Sequence, residues 1–377
     1  MLSLDSLETP CLVVDRHRLL RNAQTMLARA RDLGVALRPH VKTPKSVEIA
    51  RLSLGADNGP ITVSTLLEAE HFAAHGFDDI LYAVGIALGK LPRLAALQGR
   101  TGATIRFVLD SVAVAEAVAA FAQQGHSGLQ ALIEIDSGEH RSGLLPDDPA
   151  LPEIAAVLAD APGVELVGVM THAGHSYGTD DPAKIRAIAD AERDAAVSAA
   201  ETLRSHGHAC PVVSVGSTPT VLHAGHLHGV TKARAGVYVF WDLAQASRGV
   251  CGLHDIAATV LSTVIGHNRQ AGRLILDAGA LALSKDVGAN NFMPDAGYGF
   301  VCDAATAEHL APLAVTEVHQ EHGAVPVPDA SWFDRLPIGS LVRVMPNHTC
   351  MTCAAHRGYH VLENGEVVAE WPRVNGW

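Results

Sequence analysis

The sequence predicts an α/β protein: a parallel TIM-type (β/α)8 barrel over residues 12–244, followed by a mainly β domain over residues 245–377. Three observations carry that expectation. Up to about residue 240, short β-branched runs alternate with amphipathic helical stretches, the pattern of repeated strand-helix units around a parallel sheet. The strand candidates number about eight, which closes a parallel barrel. Beyond Trp241 the helical period fades and strands follow one another. At 377 residues the chain is also long for a single core, which favours two domains.

The chain opens on a short strand, Leu12–Val14, and a helical stretch from Arg16 to Leu33 in which Leu19, Leu20, Ala23, Met26 and Leu27 recur at i, i+3, i+4 spacing. That helix stands before the first barrel strand, so the opening strand is surplus to the barrel and must pair elsewhere. The barrel strands are expected at Ala36–Val41, Ile61–Ser64, Ile80–Val84, Thr104–Leu109, Leu132–Asp136, Leu166–Thr171, Val212–Val215 and Thr231–Gly236. In the C-terminal third the expected strands are Ala257–Gly266, Arg273–Asp277, Ala314–Val318, Ser340–Met345, Tyr359–Leu362 and Glu366–Trp371. The last two are joined through Asn364-Gly365, a strong hairpin signal.

Composition excludes several classes. A formal net charge of -12, with 28 Lys and Arg forming no dense run, argues against a nucleic-acid partner. No apolar run is long enough to cross a bilayer and no leader pattern is visible, so the chain reads as cytoplasmic and free of membrane. The six cysteines are scattered except for Cys350 and Cys353, which is not a disulfide framework in a chain of this size. Many of the 21 histidines, His206, His208, His226 and His228 among them, sit in loops or on helix surfaces and read as solvated.

In a closed parallel barrel the chemistry lies at the C-terminal ends of the strands. After the first strand comes Arg38-Pro39-His40-Val41-Lys42-Thr43, a lysine delivered to the mouth by a buried strand. Desolvation there would depress its pKa and make it a nucleophile toward an aldehyde; the bland alternative is a lysine that snorkels to water. Spacing alone leaves Lys45 as a rival. After the seventh strand stands Val215-Gly216-Ser217-Thr218-Pro219 and after the eighth Arg234-Ala235-Gly236-Val237-Tyr238, the two places where barrels commonly bind phosphate. A lysine facing a phosphate site defines a phosphate-bearing aldehyde, and pyridoxal 5'-phosphate is the obvious one. Arg141 is placed to hold a pyridoxal oxygen or a substrate carboxylate, and His172 to stack on the ring or move a proton, with Glu134 and Asp136 ordering these neighbours.

The last feature is Pro346-Asn347-His348-Thr349-Cys350-Met351-Thr352-Cys353. In an extended segment residues two apart face the same way, so His348 and Cys350 can grip one metal ion, for which zinc is well suited. A structural zinc site on Cys350 and Cys353 would need a second ligand pair, and none is visible.

Taken in order and spacing, Thr9-Pro10, Arg38–Thr43, Thr171-His172-Ala173-Gly174-His175-Ser176-Tyr177, Val215–Pro219 and Pro346–Cys350 resemble the fold-type III pyridoxal enzymes, within them the D-serine dehydratase and D-threonine aldolase group. The resemblance covers nearly the whole chain. It implies an alanine racemase-like barrel, a β domain that recruits residues 1–14, and a homodimer with active sites near the subunit interface. It implies that Lys42 is the Schiff-base lysine, that Tyr177, Gly216, Ser217, Thr218, Gly236, Val237 and Tyr238 bind the cofactor, and that His348 and Cys350 hold a divalent metal. Arg234 stands where related racemases place an arginine on the pyridine nitrogen.

The resulting expectation is a metal-dependent dehydratase that converts D-serine, D-threonine or a 3-hydroxy-D-aspartate to a 2-oxo acid and ammonia. Lys42 removes the α-proton, and the metal assists departure of the 3-hydroxyl. D-threonine aldolase-type cleavage is the main rival. Cys350 argues against it mildly, because a carboxylate would suit manganese or magnesium and a thiolate favours zinc. A racemase would have no use for the metal, and a non-catalytic pyridoxal phosphate carrier no use for the C-terminal domain.

Overall fold

One sheet of the computed structural model, which describes residues 3–377, consists of eight short strands, all parallel. After β1 (Cys11–Asp15), these are β2 (Ala36–Leu37), β3 (Ile61–Val63), β4 (Asp79–Gly85), β5 (Thr104–Leu109), β6 (Leu129–Ile135), β7 (Val164–Thr171), β8 (Val212–Val215) and β9 (Lys232–Ala233). Their order is β2-β9-β8-β7-β6-β5-β4-β3, and a parallel bridge between His40 and Thr62 joins the two ends. Both faces are covered: β3 is buried throughout, and β6 buries every residue except Gln130. That explains why these strands read as continuous apolar runs with no alternation.

The first strand is shorter than its sequence suggests. Pro39 has no N–H to give, so regular pairing stops at Leu37. The segment nonetheless continues in register through single backbone bonds. Arg38 N donates to Ala233 O at 2.8 Å, His40 N to Ala235 O at 2.7 Å, Thr62 N to Pro39 O at 2.8 Å and Val41 N to Thr62 O at 2.9 Å. Arg38 is 4% exposed; its Nη2 donates to Asp79 Oδ1 at 2.8 Å and its Nη1 to Ile61 O at 3.1 Å. Arg106 pairs with the same Asp79 carboxylate.

Residues 24–236 form one compact unit, with Gly376 and Trp377; Val237–Asn375 form the other, with the chain up to Ala23. The second unit is built on β10 (Ala258–Asn268), β11 (Arg273–Leu276), β12 (Gly299–Asp303), β13 (His309–Ala314), β14 (Glu317–Val318), β15 (Gly323–Pro326), β16 (Leu341–Pro346), β17 (Gly358–Glu363) and β18 (Glu366–Pro372). The order is β13-β12-β16-β10-β1-β17-β18, with β11, β15 and β14 extending from β10. The surplus opening strand β1 lies here, antiparallel to β10 with Leu12 opposite Val260, and parallel to β17 with Val13 opposite His360. Asn364 and Gly365 both have positive φ, as a two-residue hairpin turn requires, and β17 pairs with β18 across them. The strand expected at Ala314–Val318 is two strands: Val315 N bonds to Gly299 O while Thr316 N bonds to Ala324 O, so the chain changes partners at that point.

Asp79 is the only counter-charge paired to the buried Arg38 guanidinium among the described residues. Asp79→Ala is expected to lower the unfolding free energy by about 2–3 kcal/mol in urea titration, and a loss within experimental error would show that Arg38 is satisfied by backbone carbonyls alone.

Candidate active site

The parallel barrel brings the C-terminal ends of its strands to one rim, and Lys42 is the residue immediately after the Val41 to Thr62 bond. It lies in a turn, exposed, and makes no ion pair among the described residues. Exposure removes the desolvation on which the sequence argument for this lysine rested. Lys45 is committed elsewhere: its Nζ lies 3.1 Å from Glu68 Oε1, and Glu68 is a buried carboxylate at the start of the helix Leu66–Ala74. The geometry therefore separates the two lysines, leaving Lys42 as the available amine.

Two neutral histidines neighbour Lys42. His40 Nδ1 accepts the Lys42 amide at 3.4 Å, and burial, helped by the charges of Lys42 and Arg234, holds its pKa well below the ordinary histidine value. His172, at the end of β7, bonds through Nδ1 to Gly216 O at 2.5 Å. A carbonyl only accepts, so Nδ1 carries the proton and Nε2 keeps its lone pair. Burial, with the positive charge of Lys42 next in weight, lowers His172 to about 3. The charges of Arg234 and Arg141 also bear on it. At neutral pH this histidine can accept a hydrogen bond at Nε2 or lie against an aromatic ring, but has no second proton to give.

Gly216 is confined on three sides. Its φ is +149, a Cβ there would overlap the Arg234 carbonyl oxygen, and its N–H donates to Glu192 Oε1 at 2.9 Å. Ser217 caps the helix Thr218–His223: its Oγ accepts Thr220 N, its N–H donates to Thr220 Oγ1 at 3.1 Å, and its hydroxyl also meets Ser176 Oγ at 2.8 Å. The donors of Gly216 and Ser217 are thus engaged within the chain. Those held only at 3.4 Å are Thr218 N, toward Tyr177 OH, and Gly236 N, toward Thr218 Oγ1. These weak bonds, at Thr218 N beside the Tyr177 hydroxyl and at Gly236 N, are the ones an anion can displace.

Arg234 is buried in the barrel wall, where Nη1 donates to Ser214 Oγ at 2.6 Å and Nη2 to the Thr171 carbonyl. Burial lowers it to about 10 against the pull of Glu192 and Glu134. Arg141 is more than half exposed, 3.5 Å from Glu139. Asp136 accepts Gly138 N, His140 N and His140 Nδ1, and Glu134 accepts Ser142 Oγ, so both shape the loop after β6. Val237 and Tyr238 belong to the other compact unit, and both are buried.

In that unit the His348–Cys350 segment departs from the extended geometry expected of it. His348 is extended, but Thr349–Ala354 is a helix, started by Asp242 Oδ2, which accepts Thr349 N at 2.9 Å. Cys350 therefore sits in the first helical turn, and its side chain still reaches a hydrogen bond with His348. Asp286 Oδ2 lies 2.8 Å from His348 Nδ1, which orients the ring and turns Nε2 away from that carboxylate. Burial pushes His348 down, but Asp286 and Cys350 outweigh it and raise the group to about 11. No cluster of three or more His, Cys, Asp or Glu side chains is found among the described residues. A two-residue pair suits a metal with open positions better than a closed structural site.

Glu192, Asp242 and Asp286 were not singled out from the sequence. For Glu192 a signal existed: it interrupts the buried stripe Ile185, Ala189, Ala196, Ala199, Leu203 of the helix Pro182–Ser205. Nothing in the spacing of Asp286, far from His348 in the chain, points to their pairing.

The alanine racemase N-terminal domain model matches residues 14–243, and a serine dehydratase domain model matches residues 257–362. The chain is 46% identical to D-threo-3-hydroxyaspartate dehydratase of Delftia sp. strain HT23, covering 100% of this chain and 99% of that protein. The solved structure of that enzyme superposes with a TM-score of 0.96 over 100% of both chains. Two further solved structures of D-threo-3-hydroxyaspartate dehydratase carry a cysteine-to-alanine mutation, in a metal-free form, and a histidine-to-alanine mutation two positions earlier. Identity to the D-serine dehydratase of Dictyostelium discoideum is 30%, over 96% of this chain and 95% of that protein. A D-threonine aldolase from Filomicrobium marinum superposes at a TM-score of 0.83 with 26% identity, covering 99% and 97% of the two chains.

The burial of His172 has a measurable consequence. In the folded chain it stays neutral down to about 3, whereas the unfolded chain takes up that proton near the ordinary 6.5. Its contribution to stability is therefore whole above pH 6.5 and declines as pH falls toward 3, because the unfolded state binds the extra proton. His172→Gln is expected to flatten the acid limb of unfolding free energy against pH; an unchanged slope would place the ring in water.

Proposed function

The chain belongs to the alanine racemase N-terminal-domain family, in the form that carries a serine dehydratase domain behind the barrel, and from that premise we propose that it is a pyridoxal phosphate- and divalent-metal-dependent lyase. Its substrate is a 3-hydroxy-D-amino acid, which it converts to a 2-oxo acid and ammonia. The observation that carries this reading is full-length identity of 46% with a D-threo-3-hydroxyaspartate dehydratase, against 30% with a D-serine dehydratase. D-threo-3-hydroxyaspartate is accordingly placed ahead of D-serine and D-threonine.

The side chains fit the cofactor that the fold implies. Lys42 offers an exposed amine, the N–H groups of Thr218 and Gly236 are weakly engaged donors for a phosphate beside the Tyr177 hydroxyl, and His172 offers a neutral ring. His348, oriented by Asp286, and Cys350 would hold the metal. Support comes from the two mutant dehydratase structures, in which the mutated cysteine and histidine are two positions apart, as Cys350 and His348 are here. A thiolate-imidazole pair favours zinc over manganese or magnesium.

When bound, pyridoxal phosphate would supply an electron sink for α-proton loss, and a metal held by His348 and Cys350 would supply Lewis acidity for loss of the 3-hydroxyl. Lys42 would hold the cofactor through its amine and, when free of it, would serve as the base for the α-proton. His172, bonded through Nδ1 to Gly216 O, is held in the one tautomer whose Nε2 accepts. Lys45 stays paired with Glu68 and takes no part.

Zinc-loaded protein incubated separately with D-threo-3-hydroxyaspartate, D-serine and D-threonine is expected to release ammonia and 2-oxo acid in equal amounts, fastest from the first. A chelator should abolish the release and added zinc restore it. Glycine with an aldehyde, and no ammonia, would make this an aldolase.

A further inference from the structure

We infer that Glu192 is a positioning residue for the cofactor's phosphate end, a single buried carboxylate that holds two adjacent strand-end loops in register. This rests on the reading of Thr218, Tyr177 and Gly236 as the phosphate cradle. Glu192 lies on the helix Pro182–Ser205 and is 1% exposed. Its Oε1 accepts the N–H of Ala173 at 3.0 Å, just past β7, and the N–H of Gly216 at 2.9 Å, just past β8; its Oε2 accepts the Thr220 hydroxyl at 2.7 Å. It touches neither the available amine nor the weakly engaged donors. Every group it does touch is one residue from His172 or within two of Thr218.

The coupling runs through the Gly216 peptide. Glu192 takes the N–H of Gly216, His172 donates to its C=O, and the Arg234 carbonyl leaves no room beside its Cα. Thr220 continues the chain of bonds: Glu192 holds its hydroxyl, the same hydroxyl accepts Ser217 N, and Ser217 Oγ caps Thr220 N. The direction in which Thr218 N faces is therefore set by where the Glu192 carboxylate sits. A carboxylate suits the task because it only accepts and can take all three donors at once. Glutamine of the same length can accept both amides through its oxygen and donate to Thr220 Oγ1, whose proton has Ser217 O as an alternative acceptor. Aspartate keeps the charge and loses the reach. Length and acceptor placement, with charge playing no part, are what the geometry requires.

The test measures dissociation constants of pyridoxal phosphate and of pyridoxal, which has the same aldehyde and no phosphate, for wild type, Glu192→Gln, Glu192→Asp and Glu192→Ala. Visible absorbance of the lysine-bound cofactor and thermal melting of the cofactor-free proteins are recorded alongside. E192D and E192A are expected to weaken pyridoxal phosphate by about ten- to a hundredfold while changing pyridoxal far less, and E192Q to remain close to wild type. Should E192A fail to fold, the Asp and Gln variants decide alone. Equal weakening of both ligands, unchanged pyridoxal phosphate affinity in E192D, or an E192Q variant as damaged as E192D would each overturn the inference. Wild-type protein that binds no pyridoxal phosphate would instead overturn the cofactor reading on which it rests.

Discussion

The barrel closes at one place. Between the segment after β2 and β3 there is a bridge at His40 and Thr62, carried by two backbone bonds of 2.8 and 2.9 Å, and Lys42 follows within two residues. Pro39 ends regular pairing, and from Val41 the chain enters a turn. Closure and amine delivery are therefore the same event in the chain. The three-residue offset to Lys45 puts that second lysine under the helix Leu66–Ala74, within reach of Glu68, so the turn that frees one lysine confines the other.

The two compact units solve a common problem alike. Loops that carry functional side chains expose backbone N–H groups which, once buried, need acceptors. In the barrel Glu192 accepts two such amides, and in the β unit Asp242 accepts those of Thr349 and Gln245. Burial raises the pKa of each carboxylate and the amide hydrogen bonds oppose it. Asn347, fully buried, adds a neutral version: it accepts Ala289 N and donates to Asn290 Oδ1 and Gly297 O, which fixes the residue next to His348.

Much of the architecture was legible because buried parallel strands must be apolar and β-branched, and the runs at Ile61, Ile80, Thr104 and Val212 are. The hairpin at Asn364-Gly365 was legible because so few dipeptides take positive φ twice. β12 and β15 were missed: each is short and begins with glycine, and part of its pairing is with a distant strand, β16 or β11. Lys42 was singled out by position on a desolvation argument that the exposed side chain does not support; that Lys45 is bound to Glu68 instead is a contact between elements that local spacing does not reveal. His348 and Cys350 were singled out as a pair, and the structure hydrogen-bonds them, but the helix Thr349–Ala354 that carries Cys350 was not legible, because Asp242, which starts it, is remote in sequence.

The central claim is that the amine placed at the barrel's closure is the covalent anchor of the cofactor. Borohydride reduction of the pyridoxal phosphate-loaded protein, followed by peptide mass spectrometry, tests it most directly. The pyridoxyl phosphate mass should appear on Lys42 alone. The same mass on Lys45, with Lys42 unmodified, would contradict the account.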